Sequence, residues 1–376
     1  MKTKIPLTRL WVHEARHQEA ATNAIGRVLN AGKFVLGSEV EAFEREFSAF
    51  LGLSSGVGVG SGTDAITLGL MAGGIQTGDE VLVPAFAPSA TASAIIATGA
   101  TPVLVDITPD FGLDLAQARA LLTARTRAVV VVHLFGGVDD MTPILGVAKA
   151  HNLWVVEDCA HAHGVRYWEK ETQKWRMAGT MGDVGAFSFY PTKNLGGIGD
   201  GGFCCSMAAP VLERLRRLRQ YGWRERDNST QVGRNSRLDE IQAAILRCAL
   251  KDLDHRNDQR RALARAYLEA FSSAKIAVPM LLPSLQTHCH HVFHQFVVRV
   301  AAREQLRRVL DDHGVEYGIH YPRALSQQSA FKAYTGGRPF PVAERTAAEV
   351  LSLPMHPYLS EHEIHYIVSA LSDLHA

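Results

Sequence analysis

Three stretches of this chain carry residue types that could do chemistry. The first is FSFYPTKNLGGIGDGG, residues 187–202. An apolar run delivers Ser188 and Lys193 into a turn whose glycines leave room for a flat ligand, and a lysine desolvated there sheds its proton readily. Gly197, Gly199 and Gly202 have the G-x-G-x-x-G spacing but lead into an expected strand and open no helix, so a dinucleotide site fails its context. The second stretch is GVGVGSGTDAITLGL, where a short strand ends in Gly60, Ser61, Gly62 and Thr63 and a helix begins. Free N–H groups and hydroxyls at a helix N-terminus suit an anion. The third is LWVVEDCAHAHG, which places Glu157 and Asp158 at the end of an apolar strand, where open α/β sheets bind ligands.

Each stretch has an ordinary reading when taken alone: a loop lysine, a capped helix, a helix start with core histidines at His161 and His163. Together they form one constellation, a phosphate cradle, a strand-end carboxylate and a lysine on a glycine-lined turn. Pyridoxal 5'-phosphate (PLP, with its amine form PMP) needs all three. The lysine forms a Schiff base, an acid pairs with the pyridinium nitrogen, and the helix N-terminus holds the phosphate.

The elements that must position these residues are legible as a pattern. Short β-rich runs at 56–60, 80–84, 102–106, 128–133 and 153–158 alternate with helical stretches, which predicts an α/β fold with a mainly parallel sheet. VGAFSFY (184–190) and GFCCS (202–206) suggest a hairpin-like addition. Ser38 and Glu41 read as a capping box opening a helix that Gly52 stops. From Pro210 the pattern turns helical, with one long segment from Ser236 to Phe271. A Pro-containing connector, Val278 to Leu285, then leads to the strand VFHQFVVRV, the helix REQLRRVLDDHG and a closing helix. The division expected is a large cofactor domain over 1–250 and a smaller C-terminal α/β domain over 251–376.

Composition narrows the partners. The chain has 376 residues, 39 Lys plus Arg against 38 Asp plus Glu, and a formal charge of +1. No broad field is available to hold nucleic acid or an acidic membrane. Five cysteines without framework spacing read as reduced thiols. The start of the chain turns charged before an apolar stretch of signal length, and the most apolar region is broken by Pro84, Pro88 and Pro102. A cytoplasmic protein is expected.

With these motifs in place, the sequence resembles the DegT/DnrJ/EryC1/StrS family of PLP-dependent nucleotide-sugar aminotransferases, from the first helix to LSLPMHPYLS. The resemblance implies PLP fold type I, the aspartate aminotransferase architecture. It makes Lys193 the Schiff-base lysine and proton carrier, and pairs Asp158 with the pyridine nitrogen. It gives the phosphate to Gly62, Thr63 and Ser188 and sets His161 near the ring. GRNSRLDEIQAAIL matches the segment in which an asparagine reaches the phosphate of a neighbouring subunit, which nominates Asn235 and implies a homodimer with shared sites. The implied reaction moves an amino group from glutamate to a nucleotide-linked keto-sugar. Three segments, FYPTKNLGGIGDGG, VFHQFVVR and HYP, resemble enzymes that aminate a dTDP-3-oxo-6-deoxyhexose to a dTDP-3-amino-3,6-dideoxyhexose. His161 instead resembles the 4-oxo-sugar enzymes, and a non-transaminating dehydrase or regulatory relative is a further alternative that Lys193 opposes.

Some residues depart from that pattern. Ala87 and Pro88 stand where the family has Thr and an aromatic residue, with Phe86 as the candidate to compensate. RALSQQ lacks the histidine expected after HYP. RYWEKETQKWRMAGT (166–180) is longer than expected and reads as a surface insertion. In HCHHVFH (288–294), strand alternation would put His288, His290 and His294 on one face. No carboxylate completes that set, so no metal is expected.

Overall fold

The computed structural model describes residues 4–274, 276–283 and 287–374. The last two residues of the expected connector, Ser284 and Leu285, lie outside the described residues.

The centre of the fold is a seven-stranded sheet. In chain order its strands are β1 (Gly56–Val59), β2 (Glu80–Pro84), β3 (Thr101–Val105), β4 (Thr126–Val132), β5 (Trp154–Asp158), β8 (Val184–Ser188) and β9 (Gly202–Cys205), with a separate hairpin β6 (Arg166–Glu169) and β7 (Lys174–Met177) between the fifth and sixth. Their spatial order is β1-β9-β8-β5-β4-β2-β3. All pairs are parallel except those that β9 makes with β1 and β8. The alternation of strands and helices thus yields the mainly parallel α/β sheet expected, and the 184–206 region is the antiparallel addition. Because β2, β4, β5 and β8 run the same way, the chain leaves all four at one edge of the sheet.

Both faces of the sheet are covered, which is why its strands read as continuous apolar runs. After α1 (Ala15–Ala31), the helix α2 (Ser38–Phe50) inserts Phe43 and Phe47 on one face against the β8–β9 hairpin. Phe47 meets Phe187 at 5.2 Å and Phe203 at 5.0 Å, both edge to face. Each buried ring contributes about 1.5–3 kcal/mol, and together they fix the strand that delivers Ser188. On the other face lies α3 (Gly62–Ala72), almost wholly buried. A further cluster gathers Tyr267, Phe271, Phe296, Leu306, Leu351 and Ile364 around the strands Phe296–Arg299 and Val350–Leu353, with Ile5 from the start of the chain.

Several local expectations are corrected. The N-terminus of α2 is not closed by a Ser38–Glu41 box. The carboxylate of Glu240 accepts from the N–H groups of Gly37 at 2.8 Å, Glu39 at 3.1 Å and Val40 at 2.9 Å, and so caps the helix from 200 residues away. The long helical segment is two helices, Glu240–Leu250 and Leu253–Ser273. The expected strand through VFHQFVVRV begins only at Phe296, and the chain before it turns through Phe293 with φ 43°. Strand alternation therefore does not place His288, His290 and His294 on one face. Among the described residues, no helix is long and apolar enough to cross a membrane.

Candidate active site

The edge where the parallel strands end holds a cavity of about 230 Å³, lined among others by Ser61, Gly62, Thr63, Asp158, Ser188 and Lys193. Asp158 is the last residue of β5 and Ser188 the last of β8, with Asp158 in register with Ala186. Lys193 follows in the turn beyond Ser188, where its N–H donates to the carbonyl of Tyr190 at 2.9 Å. The sheet topology therefore brings together the three stretches, as the constellation read from the sequence requires.

One end of the cavity is the start of α3. Ser61 Oγ accepts from Asp64 N at 3.1 Å, and the N–H groups of Gly62 and Thr63 lie in the first turn, where no intrahelical acceptor exists. The helix start sits so close to β8 that a Cβ on Gly62 would fall 2.5 Å from Ser188 Cβ, and a Cβ on Gly202 would fall 2.2 Å from the Ser61 carbonyl. Glycine at 62 is what allows two N–H groups and the Ser188 hydroxyl to converge. Ser236 holds this end from behind, accepting from Gly60 N at 2.9 Å and donating to Asp64 at 2.8 Å.

Asp158, which lines the same cavity, is buried and accepts from Thr91 Oγ1 at 2.8 Å and from Ala160 N at 3.1 Å. Burial pushes its pKa up, and these donors and the charge of Lys193 only partly oppose the shift. Burial also brings the Lys193 ammonium down to about 8, against the pull of Asp158. His161 is buried, its Nδ1 accepts from Phe135 N at 3.3 Å, and its ring lies 4.4 Å from that of His294. Burial, with Lys193 adding to it, holds His161 well below the usual imidazole range, so the ring is neutral. The Nδ1 acceptor role leaves the proton on Nε2.

Beneath Asp158 its neighbour Glu157 faces the opposite way. It accepts from Gly179 N at 2.8 Å, Met181 N and Gly182 N at 2.7 Å each, and His133 Nε2 at 3.0 Å. Although His133, Glu157 and Cys159 lie close enough to share an ion, both oxygens of Glu157 are already committed to these donors. Glu157 is a structural carboxylate and Asp158 the one offered to a ligand.

Residues 15–372 match the model of the DegT/DnrJ/EryC1/StrS aminotransferase family. The chain belongs to this family. It is 40% identical to a UDP-N-acetyl-3-dehydro-alpha-D-glucosamine 3-aminotransferase of Acidithiobacillus ferrooxidans, over 98% of this chain and 97% of that one. It is 42% identical to a dTDP-3-amino-3,4,6-trideoxy-alpha-D-glucose transaminase of Streptomyces venezuelae, over 93% and 90%. The crystal structure of S. venezuelae DesV in complex with a ketimine intermediate superposes with a TM-score of 0.91 at 40% identity, covering 98% of each chain. The protein is accordingly a sugar aminotransferase with the fold expected, and the cofactor of such enzymes is PLP. The residues present fit that group. A dianionic phosphate suits the N–H groups and hydroxyl at α3, a pyridinium suits a buried carboxyl that lacks a hydrogen-bonded cation, and an aldehyde suits a lysine that loses its proton near pH 8.

Within this aminotransferase, two expected residues fall outside the cavity wall. His161 lies behind it beside Phe135, and Asn235 is exposed in a separate surface cleft with Asp64 and Arg234. Phe86 does not take the place of the missing aromatic residue. It is fully buried among Phe111, Phe135 and Tyr321, with ring centroids 6.1–6.5 Å away, and the wall at that point is Pro88 and Ala90. The 166–180 segment is an ordered hairpin paired with Cys289–His290, and none of its residues lines the cavity. Sequence reasoning missed Thr91 and also Tyr321, although the latter lies in the HYP segment it had noted.

Proposed function

We propose that this aminotransferase takes its nitrogen from glutamate and delivers it to C3 of a nucleotide-linked 3-oxo-sugar, with a dTDP-3-oxo-6-deoxyhexose as substrate and a dTDP-3-amino-3,6-dideoxyhexose as product. The observation that carries the reading is that Lys193 and Asp158 line one cavity together with the N-terminus of α3. The two relatives described above both act on nucleotide sugars at position 3, one with UDP and one with dTDP.

In this reading the N–H groups of Gly62 and Thr63 and the hydroxyl of Ser188 hold the cofactor phosphate. Asp158, steadied by Thr91, would pair with the pyridinium nitrogen, whose charge would favour the ionised carboxylate. His161, buried behind the cavity wall and neutral, would stay near the ring without competing for that charge. PLP supplies an electrophilic carbon and an electron sink. Lys193 Nζ would hold the cofactor in the resting enzyme and, once free, would serve as the base that moves a proton between neighbouring carbons. A base with a pKa near 8 suits both halves of that task at neutral pH, and such assistance is worth about 10² to 10⁴ in rate. Asn235 serves the phosphate of a second subunit, so the enzyme is a dimer with shared sites. Its exposure outside its own cavity supports that role. The division at 250/251 is proposed as the domain boundary, supported by a separate cluster drawn from 263–315 and 351–374, which Ile5 joins, while Ala324, Phe331 and Phe340 pack into the cluster of the central sheet.

The test is incubation with ¹⁵N-glutamate and a panel of dTDP- and UDP-linked 3-oxo and 4-oxo sugars. Label is expected at C3 of the dTDP-3-oxo-6-deoxyhexose. Label on 4-oxo sugars alone overturns the positional reading, and label on UDP sugars alone overturns the dTDP assignment.

A further inference from the structure

Against the turn that carries Lys193 lies a second, much smaller cavity, of about 20 Å³, lined by Lys193 itself and by Arg9, Trp11, Arg256, Arg260 and Tyr358 among others. Arg256 and Arg260 stand one helical turn apart on Leu253–Ser273 and are each only 5% exposed. Among the described residues, neither guanidinium pairs with a carboxylate. Arg256 donates to the carbonyls of Asn194 at 3.3 Å and Ala249 at 2.9 Å, and Arg260 to those of Phe293, His294 and Met355 at 2.9–3.4 Å. The nearest acid that Arg256 feels, Asp252, is already bonded to His17 at 3.0 Å. Arg9 has Glu14 at 3.6 Å, which leaves the two buried charges without a counter-ion, although Arg256 lies over the Trp11 ring at 5.9 Å. Arg256 Nη1 and Tyr358 Oη are both buried without a hydrogen-bond partner among the described residues.

Two cations taken out of water without a counter-ion are costly, and the usual remedies are an opposite charge or loss of a proton. Arginine gives up its proton with great difficulty, and burial brings Arg260 down only to about 9, so both stay charged at neutral pH. A counter-ion is the remaining remedy. The space is small, so it favours a compact monatomic anion over an organic acid. We propose that this cavity binds a single monovalent halide, with Arg256 Nη1 and Tyr358 Oη as its unused donors. The ion neutralises the Arg256–Arg260 pair. It also steadies the active-site turn, because Arg256 bonds the carbonyl of Asn194 and Trp11 Nε1 that of Gly196 at 2.9 Å, on either side of Leu195.

The test uses the PLP-loaded enzyme and bromide. Crystals grown without chloride and soaked in sodium bromide are expected to give a bromine anomalous peak in this cavity. In solution, replacing gluconate by bromide at constant ionic strength is expected to raise the melting temperature by roughly 1–3 °C. Tyr358→Phe removes one donor with little change of shape and should weaken that rise, and Arg256→Gln should abolish it. An ordered water without anomalous signal together with equal melting temperatures in the two salts overturns the proposal. A carboxylate of a second subunit filling the cavity overturns it as well.

Discussion

Thr91 Oγ1 donates a 2.8 Å hydrogen bond to Asp158 Oδ2, so the carboxylate that closes β5 is held by a hydroxyl from the helix Ser89–Ile96. This bond opposes the upward push of burial on the Asp158 pKa. Thr91→Val is expected to raise that pKa further and to weaken PLP retention by about tenfold, the value of one hydrogen bond near 1.4 kcal/mol. Thr91→Ser should restore it. Equal PLP dissociation constants for wild type and Thr91→Val would remove the bond from the account of cofactor binding.

Lys193 titrates near 8 in the folded chain, below its ordinary 10.5. Between those values the unfolded chain binds more protons than the folded one, so stability rises with pH across that window. The cofactor-free enzyme is therefore expected to gain stability from about pH 8 to pH 10.5 relative to Lys193→Met, which has no group to titrate. Denaturant midpoints of the two proteins over this range measure the difference. Parallel profiles would show that the lysine is not desolvated.

Gly62→Ala puts a methyl group 2.5 Å from Ser188 Cβ. Overpacking of this kind costs about 1–3 kcal/mol and is expected to appear as loss of PLP affinity with little effect elsewhere. Gly146→Ala is the matching control, since nothing lies within 4 Å of its Cβ in a helix interior, and it should be neutral or slightly stabilising. Wild-type cofactor affinity in Gly62→Ala would mean that the cradle is looser than its geometry.

Asn235 is exposed and lies outside the cavity of its own subunit. Mixing inactive Lys193→Ala with Asn235→Ala chains should regenerate activity in hybrid dimers, each with one intact site. The expected yield is up to about a quarter of wild type, because half the dimers are hybrids with one of two sites restored. Absence of any rescue, with subunit exchange verified by mass spectrometry, would place Asn235 in its own subunit's site.

Much of this site was legible because its parts are local patterns. An apolar run ending in Asp158, glycines at 60 and 62 before a helix, and a lysine among glycines each announce their geometry within a dozen residues. The sheet needed only to bring the three together, and alternation of strands and helices predicts that it does. What stayed hidden rests on long-range pairing. The carboxylate of Glu240 caps α2 from the far side of the sequence, so the local Ser38–Glu41 pattern misled. Thr91 sits in SATASAI with nothing nearby to mark it as the partner of a residue 67 positions on. Glu157 and Asp158 are chemically alike and adjacent; the resemblance already picks out Asp158, and the pleat, which turns the two to opposite faces, supplies the physical reason.

The central claim is that Lys193 is the residue that bonds PLP. Reconstitution with PLP followed by borohydride reduction and peptide mapping tests it most directly. The expected result is a visible absorbance band that reduction abolishes, with the phosphopyridoxyl mass on the peptide containing Lys193 and nowhere else. A colourless protein, or the adduct on another lysine, would contradict it.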